Sequence, residues 1–296
     1  MDRLMALYTR LIDANPHVAT AWWRMHVRLA EVRGRESVVV YQMGKVGSST
    51  IVASLRAQNP RRQIHHVHTL TRKGIADAEA VYHAIERNTG ENVTARSRHL
   101  WSSRYLRTRM QRPLQGEKWK IITLVREPIA RNLSSFFQTI DYPLPNFMAR
   151  YEAGELSLDT VREVFLQQFD HGQVLRWLDE EVQRALGINV YTEDFPQARG
   201  YQIYAGEQCD LLLLKLEKLN ECAAQAMHEF LGIEDFTLIK TNVAREKEYA
   251  DAYRRLRNQL QLPDYYIRTI YASQYMRHFY SRAEIAEFTA KWRDAR

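Results

Sequence analysis

The chain has 296 residues, with 42 Lys and Arg against 35 Asp and Glu, a formal net charge of +7. Hydrophobic residues make up 45% and charged residues 26%, a balance that excludes a disordered chain. No apolar run approaches the ~20 residues of a membrane-crossing helix, and two cysteines, Cys209 and Cys222, suit neither a disulfide framework nor a metal site.

Taken in chain order, residues 1–36 form a helical N-terminal extension, with Leu4, Leu7 and Leu11 and then Trp22, Met25 and Leu29 at helical spacing on either side of Asn15-Pro16. Ser37–Met43 is a continuously apolar, β-branched strand of the kind buried on both faces. A helix follows through Ile51 and Leu55, and Gln63–Thr69 is a second strand. Residues 72–88 and 93–111 read as helices, Trp119–Val125 as a strand, and Ile129–Thr139 as a helix. Residues 157–186 carry one long helical pattern ending at Gly187. Gly200–Ala205 and Asp210–Leu216 are strands, and a helix then stops at Gly232. Residues 246–296 form a helical C-terminal region, with Ser281 and Glu284 as a capping box. The alternation predicts one α/β domain over 1–296, a P-loop-like central parallel sheet with helices on both faces. Acidic Asp2 and the lack of an apolar leader read as no secretory signal, and the two cysteines suit a reducing cytoplasm; a cytoplasmic, bacterial protein is the expectation.

The charge excess points to an anionic partner without choosing among nucleic acid, membrane surface, nucleotide and acidic polysaccharide. The loop after the first strand narrows the choice. Gly44, Lys45, Val46, Gly47, Ser48, Ser49 and Thr50 join a buried strand to a helix. The glycines admit close backbone approach, the hydroxyls and the helix N-terminus offer donors, and Lys45 adds a cation. The spacing is neither Walker A nor G-x-G-x-x-G, and a ligand-free glycine turn is the competing reading. The third strand ends in Arg126, and Ser134 lies eight residues on, roughly two turns into the next helix. An Arg fork and a Ser hydroxyl there can grip a second phosphate, with Arg131 adding to the field. Ligands of open α/β sheets lie at the carboxyl ends of the strands, so two grips imply a ligand with two anionic ends.

The ordered pair K-x-G-S-S (Lys45, Gly47, Ser48, Ser49) and R-x7-S (Arg126, Ser134) resembles the sulfotransferases that use 3′-phosphoadenosine 5′-phosphosulfate (PAPS), most of all those acting on carbohydrates and capsular polysaccharides. The resemblance covers residues 37–140 and the strand at 211–216. It implies that the first loop holds the 5′-phosphosulfate and the second motif the 3′-phosphate, with 3′-phosphoadenosine 5′-phosphate (PAP) as product and no metal. It also implies a sugar hydroxyl as acceptor. The sequence departs from steroid- and phenol-type relatives: Ile51 stands where they carry an adenine-stacking Trp, and their late R-K-G loop is missing. The basic stretch at 240–247, with Thr241, Asn242, Arg245 and Lys247, is the expected substitute lid, a solvated helix start being the alternative.

Sulfuryl transfer needs a base for the acceptor hydroxyl and a cation at the leaving oxygen. Lys45 suits the second role. For the first, strand alternation places His66 and His68 on one side and His65 on the other. The H-x-H segment resembles that of uronyl 2-O-sulfotransferases, so His68 is the expected base and His66 its positioning partner, with His99 and Glu127 as fallbacks. A metal site or a simple strand cap are the other readings. Arg96, Arg98, Trp101 and Arg104 in the following helix are the expected acceptor contacts, suited to an acidic glycan. No nucleic-acid partner is expected, and peripheral membrane contact is left open. Two other functions compete: a nucleotide-dependent phosphotransferase, which would need a Mg²⁺-binding carboxylate at a strand end, and a non-catalytic binder of nucleic acid or acidic glycan.

Overall fold

The structure, a computed structural model, describes residues 21, 24–25, 27–29, 36–59, 61–89, 94–111, 118–239, 260 and 262–293. In chain order its elements are β1 (Ser37–Tyr41), α1 (Ser48–Gln58), β2 (Gln63–Val67), α2 (Arg72–Thr89) and α3 (Thr94–Met110). Next come β3 (Trp119–Val125), α4 (Pro128–Gln138), α5 (Phe147–Glu152), α6 (Leu158–Gln168) and α7 (Gln173–Trp177). A π-helical stretch (Leu178–Gln183) leads to α8 (Arg184–Leu186), β4 (Tyr201–Ala205), β5 (Cys209–Lys215) and α9 (Leu219–Leu231). Three helices finish the chain: α10 (Asp264–Tyr271), α11 (Gln274–Phe279) and α12 (Arg282–Arg293).

The strands form one five-stranded sheet in the order β2-β1-β3-β5-β4. The first four run parallel. Their continuous apolar runs are buried, Val38–Tyr41 and Ile121–Ile122 to within 1% of full burial, as expected of strands covered on both faces. The chain leaves β1 for β2 on one side and later returns to β3 on the other. That reversal opens a crevice between β1 and β3 at their carboxyl ends, the place where open α/β sheets bind ligands.

Three expectations change. The sheet is mostly rather than wholly parallel, because β4 joins β5 as an antiparallel hairpin; the connection Gly206–Gln208 is too short for a parallel crossover. The second strand ends at Val67, since His68 and the residues after it turn toward α2. The long helix over 157–186 is broken at 169–172, where Phe169 is extended, and is then widened by the π stretch. Residues 1–20 of the expected N-terminal extension and 246–259 of the C-terminal region lie outside the described residues. The C-terminal helices are pinned by a fully buried cation. Lys215 at the end of β5 donates to Glu284 at 2.8 Å and to the Gln197 carbonyl at 2.9 Å. Glu284 also closes the expected capping box, accepting from the backbone and the hydroxyl of Ser281.

Candidate active site

The loop after β1 is held in a tight, unusual shape. Lys45 has φ 70° and Gly47 φ 86°, both in the left-handed region. A lysine there costs roughly 1–2 kcal/mol, so the surrounding structure must hold it. A Cβ on Gly47 would fall 2.5 Å from Cδ1 of Leu216. One on Gly44 would meet nothing within 4 Å, so there is open space over that backbone. Gly47 also caps α1 without any side-chain acceptor, and no acidic residue stands in the first turn. By contrast, α4 is closed by its own protein anion: the Glu127 side chain accepts from the backbone N–H groups of Ile129 and Ala130, both at 2.7 Å. The α1 terminus is therefore the one of the two whose N–H groups and positive dipole face outward for an anion. Gly47→Ala should cost about 2 kcal/mol or more through strain and the Leu216 clash, lowering the midpoint of urea unfolding; an unchanged midpoint would refute this account of the loop.

Two arginines from the β3–α4 segment bind the loop carbonyls. Arg126 Nη1 donates to the Lys45 carbonyl at 2.8 Å, and buried Arg131 donates through Nε to the Gly44 carbonyl at 3.2 Å. Tyr275 fixes the Arg126 backbone, its hydroxyl accepting from N at 3.1 Å and donating to O at 3.0 Å. Burial pulls the Arg131 guanidinium down to about 10, which still leaves it charged at neutral pH. Arg126 and Arg131 thus tie the start of α4 to the Lys45 loop across one crevice. Ser134 is half-buried in α4 on the same segment. In the loop itself Ser48 and Val46 are buried, Thr50 is half-buried and Ser49 is exposed.

The third wall comes from β2. His66 and His68 lie side by side with ring centroids 5.0 Å apart, and His99 of α3 stacks edge-on to His68 at 5.1 Å. His65, on the other face of the strand, is buried. Gln42, wholly buried, joins the histidines to the loop. Its Nε2 donates to Ser48 Oγ at 2.7 Å and lies 3.0 Å from His66 Nε2, which is itself 3.1 Å from Ser48 Oγ. His68 Nδ1 is 3.0 Å from the Gln42 carbonyl. A carbonyl only accepts, so Nδ1 carries the proton and Nε2 is left with its lone pair. The two histidines therefore differ. His66 uses its Nε2 on Gln42 and Ser48, whereas His68 is anchored through Nδ1, which leaves its Nε2 unprotonated.

Burial lowers His65, His66 and His68: His66 to about 3, helped by its neighbour His68, His65 to about 4, and His68 in the same direction. All are neutral at pH 7, the form a base requires. Because their folded values lie below the ordinary 6.5, the unfolded chain binds more protons as pH falls below 6.5. Stability is thus fully present above pH 6.5 and lost toward the folded values. Between pH 7 and pH 5 we expect a loss of roughly 1–2 kcal/mol for each of His65 and His66, read from urea unfolding at the two pH values. Equal stability at both would contradict it.

Other expected positions fare differently. Glu127 is no base: besides capping α4 it is fully buried and accepts from the Tyr271 hydroxyl at 2.9 Å. Arg104 is exposed and ion-paired with Glu79, and Trp101 is half-buried in α3. The side chains of Arg96 and Arg98, and all of Thr241, Asn242, Arg245 and Lys247, lie outside what the structure describes. No group of three His, Cys, Asp or Glu among the described residues could hold a metal ion. Cys209 and Cys222 are free and buried. Sequence reasoning missed Gln42, Tyr275 and Glu181. Only Gln42 had a visible signal, a lone amide closing an apolar strand directly before a glycine loop.

Residues 155–281 match one family model. It is NKWYS, described as "Putative capsular polysaccharide synthesis protein". The match runs from just before α6 through β5 to the end of α11. It is compatible with a carbohydrate-related role and does not reach the 44–50 loop, His65, His66, His68 or Arg126. No curated protein and no solved structure matches.

Proposed function

We propose that this chain is a sulfotransferase that moves the sulfuryl group of PAPS to a hydroxyl of a carbohydrate acceptor. The observation that carries the reading is the bond from Arg126 to the Lys45 carbonyl, which joins the two phosphate-type motifs across the β1–β3 crevice. The first-turn N–H groups of α1, with Ser48, Ser49 and Thr50, take the 5′-phosphosulfate. The remaining N–H groups of Arg126, with Ser134, take the 3′-phosphate. His68 Nε2 accepts the proton of the acceptor hydroxyl as its oxygen bonds to sulfur. The bond from sulfur to the bridging oxygen breaks, and Lys45 stabilises the charge left on PAP. His66, held by Gln42 and Ser48, couples the base to the donor loop. The match to a capsular-polysaccharide family supports the acceptor class.

The test is a thermal shift with PAP against Mg²⁺-ATP. At a hundred times its dissociation constant PAP should stabilise the protein by about 2.7 kcal/mol, with ATP well behind. No response to PAP would defeat the reading, and a larger response to Mg²⁺-ATP would replace it with phosphoryl transfer.

A further inference from the structure

A second concave site lies away from the crevice. A cleft of about 470 Å³ opens between the C-terminal end of α3, the β2–α2 turn, α8 and the β4–β5 hairpin. Three arginines line it, Arg72, Arg107 and Arg184, each from a different element and opposed by one carboxylate, Glu207. Among the described residues none of the three holds an ion pair or a side-chain hydrogen bond. The lining is otherwise partly apolar, with Met110 and Trp119. Trp119 is 2% exposed, and its indole N–H finds no acceptor among the described residues. Arg107 is half-buried, whereas Arg72 and Arg184 are exposed, and Arg184 also lies in the field of Asp179; together they give the cleft a basic rim, which favours an anionic occupant.

We propose that this cleft binds an anionic sugar unit of the acceptor glycan, one carrying a carboxylate or a sulfate. The inference rests on the carbohydrate reading above and names its substrate class. The volume falls within the ~300–1,000 Å³ of small-molecule sites, and guanidinium forks match the planar oxygens of carboxylate and sulfate. Single-stranded nucleic acid is the less suitable occupant. It stacks bases on exposed aromatic faces, and Trp119 is buried with Arg109 over its ring at 5.8 Å. Thr71, three residues after His68, forms part of its wall. The expected acceptor arginine, Arg104, is engaged elsewhere, and Arg107, one turn on, takes the role.

Calorimetric titration of the full chain tests this with three tetrasaccharides: hyaluronan (uronate), heparin (sulfate and uronate) and maltotetraose (neutral). At least one acidic tetrasaccharide should bind, and maltotetraose at least tenfold more weakly. The double variant Arg107→Gln, Arg184→Gln should weaken the acidic ligand at least tenfold, while Arg107→Lys, Arg184→Lys retains part of it and Lys291→Ala, on the C-terminal helix outside the cleft, leaves it unchanged. The thermal midpoint of each variant reports its folding. Absence of acidic binding, equal binding of the neutral sugar, or an unchanged affinity in a folded Gln variant would overturn the proposal, as would tighter competition by oligouridylate. Because PAP binding is read separately, a failed cleft leaves the donor reading standing, and a failed donor reading leaves the cleft result intact.

Discussion

Replacing Lys45 by alanine is expected to lower the rate of sulfuryl transfer by roughly 10²–10³-fold, the usual cost of deleting one group that stabilises developing charge. The loss should fall in kcat. PAP affinity should move far less, because the α1 terminus and Arg126 still hold the nucleotide. Backbone strain does not confuse the comparison. Lys45 stands at φ 70°, and alanine suffers the same left-handed penalty as lysine. Arg126→Ala should show the opposite pattern. On the proposed reading it removes a charged donor to the 3′-phosphate, worth about 1.5–3 kcal/mol, so PAP binding should weaken roughly 10- to 150-fold. It also frees the Lys45 carbonyl, which accepts from Arg126 at 2.8 Å, so some loss of kcat accompanies the loss of affinity. Product formation on a glycan acceptor gives kcat, and titration with PAP gives affinity. A Lys45→Ala protein with undiminished kcat would remove Lys45 from the chemistry. Identical patterns in the two variants would undo the division of labour between the motifs.

The parallel strands and their order of appearance were legible because a strand buried on both faces leaves a mainly apolar run, as in Val38–Tyr41, Ile121–Val125 with only Thr123 polar, and Leu211–Leu214. The direction of β4 was not, since Tyr201–Ala205 carries no mark of which way it pairs; the hairpin of Gly206–Gln208 decides it. The break after Gln168 escaped notice because helical spacing continues across it. Within the site, Lys45, Gly47, Ser48 and Arg126 were readable from local spacing, as was the shared side of His66 and His68 from strand alternation. Long-range partners were invisible. Tyr275 reaches Arg126 across 149 positions, and nothing in either neighbourhood announces the pairing. The same limit explains Arg104 and Arg107. Helical sequence placed both in a basic stretch, and only packing shows that Glu79 claims one while the other enters the cleft.

Glu181→Ala should be the most damaging substitution to stability, costing about 3–5 kcal/mol. Glu181 is buried in the π-helical stretch, where the widened turn sets its side chain beneath the β2–α2 segment. Its carboxylate accepts from Thr69 Oγ1 and the Leu70 backbone N–H, both at 2.8 Å, from the Thr71 N–H at 3.1 Å, and from the hydroxyls of Thr71 and Tyr41. Burial, and then the charge of Glu181 itself, hold the Tyr41 phenol well above its ordinary value, so it stays protonated and donates. Alanine would strand two backbone N–H groups and three hydroxyls, those of Thr69, Leu70 and Tyr41 buried and those of Thr71 half-buried, and each buried donor left unmade costs about 1–3 kcal/mol before relaxation. Glu181→Gln keeps the shape and loses the charge, so it should cost less, about 1.5–3 kcal/mol. Packing around the carboxylate is close. A Cβ on Gly74 would fall 1.9 Å from Glu181 Oε1, so Gly74→Ala should disturb the same network from the other side. The staple begins at Thr69, directly after His68, so loosening it should misplace the proposed base and lower kcat even where the variant still folds. Urea unfolding measures the first effect, with an unchanged m-value separating lost stability from altered compactness. A loss under about 1 kcal/mol, no more than one ordinary hydrogen bond, would mean that the five donors find other partners and that Glu181 does not hold the histidine strand in place.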